Sequence, residues 1–146
     1  MRNLKLILIT MMALIGIMAQ AQKHHHPEKA AIKLVLSQQQ NSWNNGSIDS
    51  FMMFYWNSPD LRFVSKKGVS YGWQKVNDNY KKSYSNKEKM GKLEFDIKSI
   101  EFVDKQNAIV VGSWAIQNND GNPSGYFTLW FKKINGKWLI ILDHTS

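Results

Sequence analysis

Between residues 28 and 44 the apolar positions recur at helical spacing. Ile32, Val35, Leu36, Gln39 and Trp43 stand at i, i+3, i+4, i+7 and i+11 and draw one stripe down a helix. Pro27 suits the first turn of that helix, Glu28 suits its positive end, and Asn45-Gly46 suits its termination. Ser47 then caps a shorter helix in which Ile48, Phe51, Met52 and Tyr55 share a face, and the turn "NSPD" at 57–60 ends it. "LRFVSKKGVSYG" alternates weakly around Lys67-Gly68 and predicts a short hairpin. A third helix runs from Trp73 to Tyr84 with Trp73, Val76, Tyr80 and Tyr84 along one side, and "SNKEKMG" after it reads as loop. Beyond Lys92 the period changes to two, which predicts strands over 93–103, 107–117, 125–134 and 137–145. Helices followed by a long antiparallel meander make an α+β order, with the three N-terminal helices packed on one face of a curved sheet.

The last hairpin carries the strongest local signal. Asn135-Gly136 supplies the two positive-φ positions of a two-residue type I′ turn. Continued without interruption, its register sets Phe127 opposite His144, Leu129 opposite Leu142, and Phe131 opposite Ile140; on the other face Thr128 meets Asp143 and Trp130 meets Ile141. Asp143 and His144 then point to opposite sides and cannot work as a pair. The face with Phe127, Leu129, Phe131, Ile140 and Leu142 is the one to be covered by helices, leaving His144 as its polar end. The opposite face holds Tyr126, Thr128, Trp130 and Ile141, too apolar for plain solvent, and is expected to be a dimer interface. Asp143 is expected on that side, bonded to Thr128 or to a nearby backbone amide.

The N-terminus changes the picture of where the domain works. Residues 1–21 combine a basic start (Arg2, Lys5), thirteen mostly apolar residues from Leu6 to Met18, and Ala19-Gln20-Ala21. That is the layout of a cleaved secretory signal, and the apolar run is shorter than the ~20 residues a bilayer-spanning helix needs. Cleavage after Ala21 is expected, giving a periplasmic or secreted protein with no stable membrane anchor. Residues 22–27, "QKHHHP", form a polar leader, and 28–146 form one domain. The three adjacent histidines lack the ligand spacing of a metal site, and no metal or cofactor is expected. With no cysteine, the exported domain depends on a packed core.

After removal of the signal, 17 basic residues face 11 acidic ones. The lysines are scattered as the doublets Lys66-Lys67, Lys81-Lys82 and Lys132-Lys133, which suits a solvated surface better than the continuous basic stripe of a nucleic-acid site.

In order and spacing, "SQQQNSWNNGSIDSFMMFY", "FVSKKGVSYGWQKVNDNYKKSY", "MGKLEFDI", "NAIVVGSWAI" and "GYFTLWFKKINGKWLIILDHTS" together resemble the nuclear transport factor 2-like superfamily. That superfamily includes ketosteroid isomerases and SnoaL-like cyclases, and the likeness is greatest to its small exported, functionally uncharacterised members. The resemblance implies a cone-shaped half-barrel with a pocket between concave sheet and helices, in a homodimer built on the convex face. Its lining here would come from Trp43, Tyr55, Tyr80, Tyr84, Trp114, Phe127, Leu129 and His144. Ketosteroid isomerases use a carboxylate base with a tyrosine and a protonated aspartic acid. No pair of carboxylates is aimed inward by the strand pattern here, since Glu94 and Asp96 share an outward face and Asp143 falls on the convex side.

His144 is therefore the one titratable candidate near the pocket. As a general base it would make the domain an isomerase, cyclase or dehydratase; as a hydrogen-bonded anchor it would only hold the last strand. The reading favoured by the residues is a binding module for a small apolar or aromatic molecule, with no catalysis. A structural homodimer with a filled cavity is the remaining alternative.

Overall fold

The computed structural model describes residues 27–119 and 121–146. The expected signal and all of the leader but Pro27 lie outside the described residues. Helix α1 (Pro27–Asn44) and the one-and-a-half-turn α2 (Ile48–Met52) are followed by strands β1 (Arg62–Ser65) and β2 (Gly68–Tyr71). Then come α3 (Trp73–Ser83), a single turn α4 (Lys87–Met90), and four long strands: β3 (Lys92–Phe102), β4 (Asn107–Gln117), β5 (Ser124–Ile134) and β6 (Lys137–Thr145). The strands form one open, curved sheet in the order β2-β1-β6-β5-β4-β3, antiparallel except for β1 against β6.

The expected stripe of α1 is the buried one: Ile32, Leu36, Gln39 and Trp43 all lose their solvent. Ser47 caps α2 as its chemistry suggests, its hydroxyl accepting from the Ser50 N–H at 3.1 Å. The segment "SNKEKMG" departs from the expected loop. Asn86 caps a helical turn by accepting from the Lys89 N–H at 2.9 Å, and Gly91, at φ 60°, ends it.

Polar side chains of α1 finish the edge of the sheet. Asn44 accepts from the Leu93 N–H at 2.7 Å and donates to the Leu93 carbonyl at 3.0 Å, while Gln40 accepts from the Phe95 N–H at 2.7 Å. Two amides thus satisfy backbone groups that the outermost strand would otherwise leave unpaired. At the helix's other end Glu28 accepts from Lys133 Nζ at 2.7 Å and Trp138 Nε1 at 2.6 Å, fastening α1 to the closing hairpin.

That hairpin has the expected turn, with Asn135 at φ 49° and Gly136 at φ 78°. The expected register holds from Ile134 opposite Lys137 to Phe131 opposite Ile140. There a bulge intervenes, and beyond it Trp130 pairs with Leu142, Leu129 with Asp143, Thr128 with His144 and Phe127 with Thr145. One extra residue, Ile141, flips every later side chain to the other face. Leu142 leaves the inner face, Asp143 enters it and is 5% exposed, and His144 turns out into solvent. The bulge falls where β6 changes its second neighbour. Ile140 exchanges backbone bonds with Phe54 and Trp56 at 2.9 Å each, whereas Leu142 to His144 pair with β1.

A second bulge, between Ile97 and Ser99 of β3, bends the sheet from the other side. Gly112 of β4 sits across from it, opposite Phe127. A side-chain carbon at Gly112 would stand 2.5 Å from the Phe127 ring and 2.8 Å from the Asp96 carbonyl, so the curvature requires glycine there.

Candidate functional site

The concave face and the helices enclose a cavity of about 740 Å³, within the range of small-molecule sites. Its walls are mainly aromatic. Trp43 of α1 meets Phe51 of α2 and Tyr84 after α3 edge-on, with centroids 5.1 and 4.7 Å apart. Tyr80 of α3 packs on Phe51 and on Phe63 of β1, at 5.2 and 5.8 Å. From the sheet come Trp114, Leu129 and the Phe95–Phe127 pair, whose rings lie 5.6 Å apart. Seven of the expected lining residues, Trp43, Tyr55, Tyr80, Tyr84, Trp114, Phe127 and Leu129, border this one space. The eighth, His144, does not. It is exposed on the convex side and its side chain forms no hydrogen bond or ion pair among the described residues, so the proposed general base stands outside the cavity.

Asp143 takes the inward place. Its Oδ2 accepts from the Tyr55 hydroxyl at 2.7 Å, and the Tyr55 oxygen lies 3.5 Å from that of Tyr80. Tyr55 reaches this position because the segment after α2 runs beside β6. With the Tyr55 proton engaged by the carboxyl, the Tyr80 hydroxyl is the donor of the longer contact. Burial pushes the Asp143 carboxyl up to about 7, and the bond from Tyr55, which favours the ionised form, offsets only part of that. Burial likewise raises Tyr55 and Tyr80, with the Asp143 charge adding to both, so neither phenol ionises near neutrality. Burial also raises Tyr84.

Residues that carry partnerless polar atoms also line this space. Among the described residues four buried side-chain polar atoms lack a hydrogen-bond partner within the protein: Gln39 Nε2, Asn77 Oδ1, Trp114 Nε1 and Asp143 Oδ1. All but Asn77 belong to residues that line the cavity. Leaving such a group unpaired costs roughly 1–3 kcal/mol, so three in one place call for a polar guest or water. A protonated Asp143 would add an O–H donor at Oδ1, since Oδ2 already accepts from Tyr55.

Gln39 escapes a reading that ranks residues by ionisable chemistry, and Asp143 escapes one that continues the hairpin register without a bulge. Gln39 carries a signal, being the one polar member of an apolar helical stripe. The register alone hides Asp143.

On the convex face Tyr126 is 67% exposed, and Thr128 and Trp130 are half-buried. Ile141, expected beside them, is the bulge residue and is already buried, at 8% exposure. Asp143 makes no bond to Thr128, which faces His144 instead. Among the described residues no group of His, Asp or Glu is arranged to hold a metal ion, and no helix is long and apolar enough to cross a membrane.

Helices laid over a curved sheet, with an aromatic cavity between them, define a cone-shaped α+β domain. No family model and no curated protein matches the sequence. Solved structures do. An NTF2-like protein of unknown function from Shewanella oneidensis MR-1 is 36% identical, with a TM-score of 0.79 over 82% of this chain and 98% of that one. An NTF2-like superfamily protein from Salmonella enterica serovar Typhimurium LT2 has a TM-score of 0.66 at 19% identity over 81% and 89% of the two chains. A ketosteroid isomerase-like protein from Erwinia carotovora atroseptica SCRI1043 has a TM-score of 0.65 at 14% identity over 83% and 96%. The chain belongs to the NTF2-like superfamily.

Proposed function

We propose that this NTF2-like domain is an exported binding module for a small, largely aromatic or apolar molecule. The observation that carries the reading is that three residues with unpartnered buried polar atoms, Gln39, Trp114 and Asp143, line one aromatic cavity of about 740 Å³. A core that only filled space would not orphan three groups in the same place. The guest offers an apolar body to the rings and a polar group to the Trp114 N–H and the Asp143 carboxyl. Export rests on the layout of residues 1–21. The convex patch of Tyr126, Thr128 and Trp130 is the surface on which two copies would pair.

The test is a fluorescence titration with the neutral aromatic probe N-phenyl-1-naphthylamine. Saturable binding of one probe per chain is expected, lost in Leu129→Trp and in Val76→Phe, two variants that fill the cavity from opposite walls. Absence of saturable binding by the folded wild type, or equal binding by both filled variants, overturns the reading.

A second reading, proton transfer, is favoured by Asp143 alone. A carboxyl that titrates near 7 and opens onto an apolar cavity can exchange a proton at neutral pH. In that case Asp143, and not His144, is the acid–base group, with Tyr55 positioning it. Turnover of a carbonyl compound retained from the native host, abolished in Asp143→Asn, would select this reading over simple binding.

A further inference from the structure

We infer that the guest is an anion, an aromatic or apolar body carrying a carboxylate, sulfonate or phosphate that sits at the cavity mouth against Lys66, Lys67 and Lys82. The inference deepens the binding reading above and rests on it. Lys66 and Lys67 form the turn between β1 and β2, and Lys82 lies in the last turn of α3. All three are exposed yet belong to the lining of the cavity, which puts them at its opening. Two contacts hold the turn and the helix on the same side of that opening: Asn79 donates to the Ser70 hydroxyl at 3.2 Å, and Phe63 packs on Tyr80.

The charged side chains at this rim are all basic. Among the described residues none of the three lysines forms an ion pair, whereas the adjacent Lys81 is engaged by Asp49 at 2.6 Å. Among the described residues Asp143 is the only carboxylate side chain lining the cavity, and it is buried. Burial holds that carboxyl neutral over a wider pH range than usual, so it offers an incoming anion little repulsion. Favourable charge at the end of α3 would account for basic residues in its last turn, but not for the two at the adjoining hairpin tip. The polar groups thus fall at two levels: neutral donors and acceptors inside, cations outside. An amphipathic acid matches both, with its apolar part among the rings and its charge left in water beside the lysines.

Two probes with the same aromatic framework separate this inference from the binding reading. 8-Anilinonaphthalene-1-sulfonate carries the anion and N-phenyl-1-naphthylamine does not. Each would be titrated into wild-type protein and into the triple variant Lys66→Gln, Lys67→Gln, Lys82→Gln, with Lys132→Gln, Lys133→Gln as a charge control outside the cavity. The expected result is an anionic-probe affinity about tenfold lower in the triple variant, as three partly solvated charge contacts allow, with the neutral probe and the control variant changed less than about twofold. Raising NaCl to 0.5 M should weaken the anionic probe in wild type and not in the triple variant. Equal losses for both probes, or no loss for the anionic one, overturn the anion inference while leaving the cavity reading intact. Failure of the neutral probe to bind wild type overturns the cavity reading and this inference with it.

Discussion

Asp143 gives the protein a stability penalty with a definite pH signature, and Asp143→Asn should remove it. A carboxyl that titrates near 3.8 in solvent does so at about 7 here, chiefly because burial disfavours its charge. Below pH 4 folded and unfolded chains both carry the proton and the group contributes no pH dependence. Between 4 and 7 the unfolded chain has released its proton while the folded chain keeps it, so stability falls as pH rises; above 7 both are ionised and the loss is complete. At roughly 1.4 kcal/mol per tenfold in proton affinity, the full loss is about 4 kcal/mol, an upper figure because a folded protein relaxes around a buried charge. Asparagine keeps the shape and can still accept from the Tyr55 hydroxyl. The variant should therefore match wild type within about 1 kcal/mol at pH 4 and exceed it by up to about 4 kcal/mol at pH 8, with the difference opening through pH 5–7. Urea unfolding followed by tryptophan fluorescence at each pH gives both curves, provided the dependence on urea stays the same in the two proteins. A difference that does not change between pH 4 and 8, or that favours wild type more as pH rises, would refute the burial argument.

Gly112→Ala should destabilise by about 1–3 kcal/mol, because the added carbon meets both the Phe127 ring and the Asp96 carbonyl; thermal unfolding measures it. His144→Ala should leave N-phenyl-1-naphthylamine affinity within about twofold of wild type, since the imidazole is exposed on the convex side; a loss of tenfold or more would put it back in the cavity. Glu28→Gln should cost about 1 kcal/mol at low salt and less at 0.5 M NaCl, because the lost charge faces Lys133 across a half-exposed contact, while the amide can still accept from Trp138.

The helices and strands were legible because their patterns have only one good solution. In α1 the polar residues between Ile32, Leu36 and Trp43 forbid any rotation of the stripe, and Ser47 and Asn135-Gly136 mark a helix start and a strand reversal by chemistry that few other residues provide. The turn at Lys87–Met90 was missed for the opposite reason. Three of its four residues are charged, and its capping atom on Asn86 also suits a loop. The aromatic rings that border the cavity, from Trp43 to Phe127, are those the family resemblance pointed to, although Tyr55 and Tyr84 lie just beyond the helices whose stripes they continue.

The polar floor of the site depends on a feature that alternation cannot express. From Trp138 to Leu142 the strand is apolar at every position, so no polar residue reports which face is which, and either phase buries an oily side chain. Counting outward from Asn135-Gly136 fixes the phase up to Ile140, and the adjacent Ile140 and Ile141 then admit an extra residue with no loss of burial. That insertion decides the chemistry of the domain. With it, a carboxyl bonded to Tyr55 lies under the cavity and an imidazole lies in water; without it, the two exchange places. The structural cause is non-local. The edge of β6 away from β5 must serve the Phe54–Trp56 segment at Ile140 and β1 from Leu142 onward, and the bulge sits between these two partners. A parallel contact with a strand more than 70 residues earlier leaves no mark in the local sequence, so the pocket's walls could be read from the chain while its acid could not.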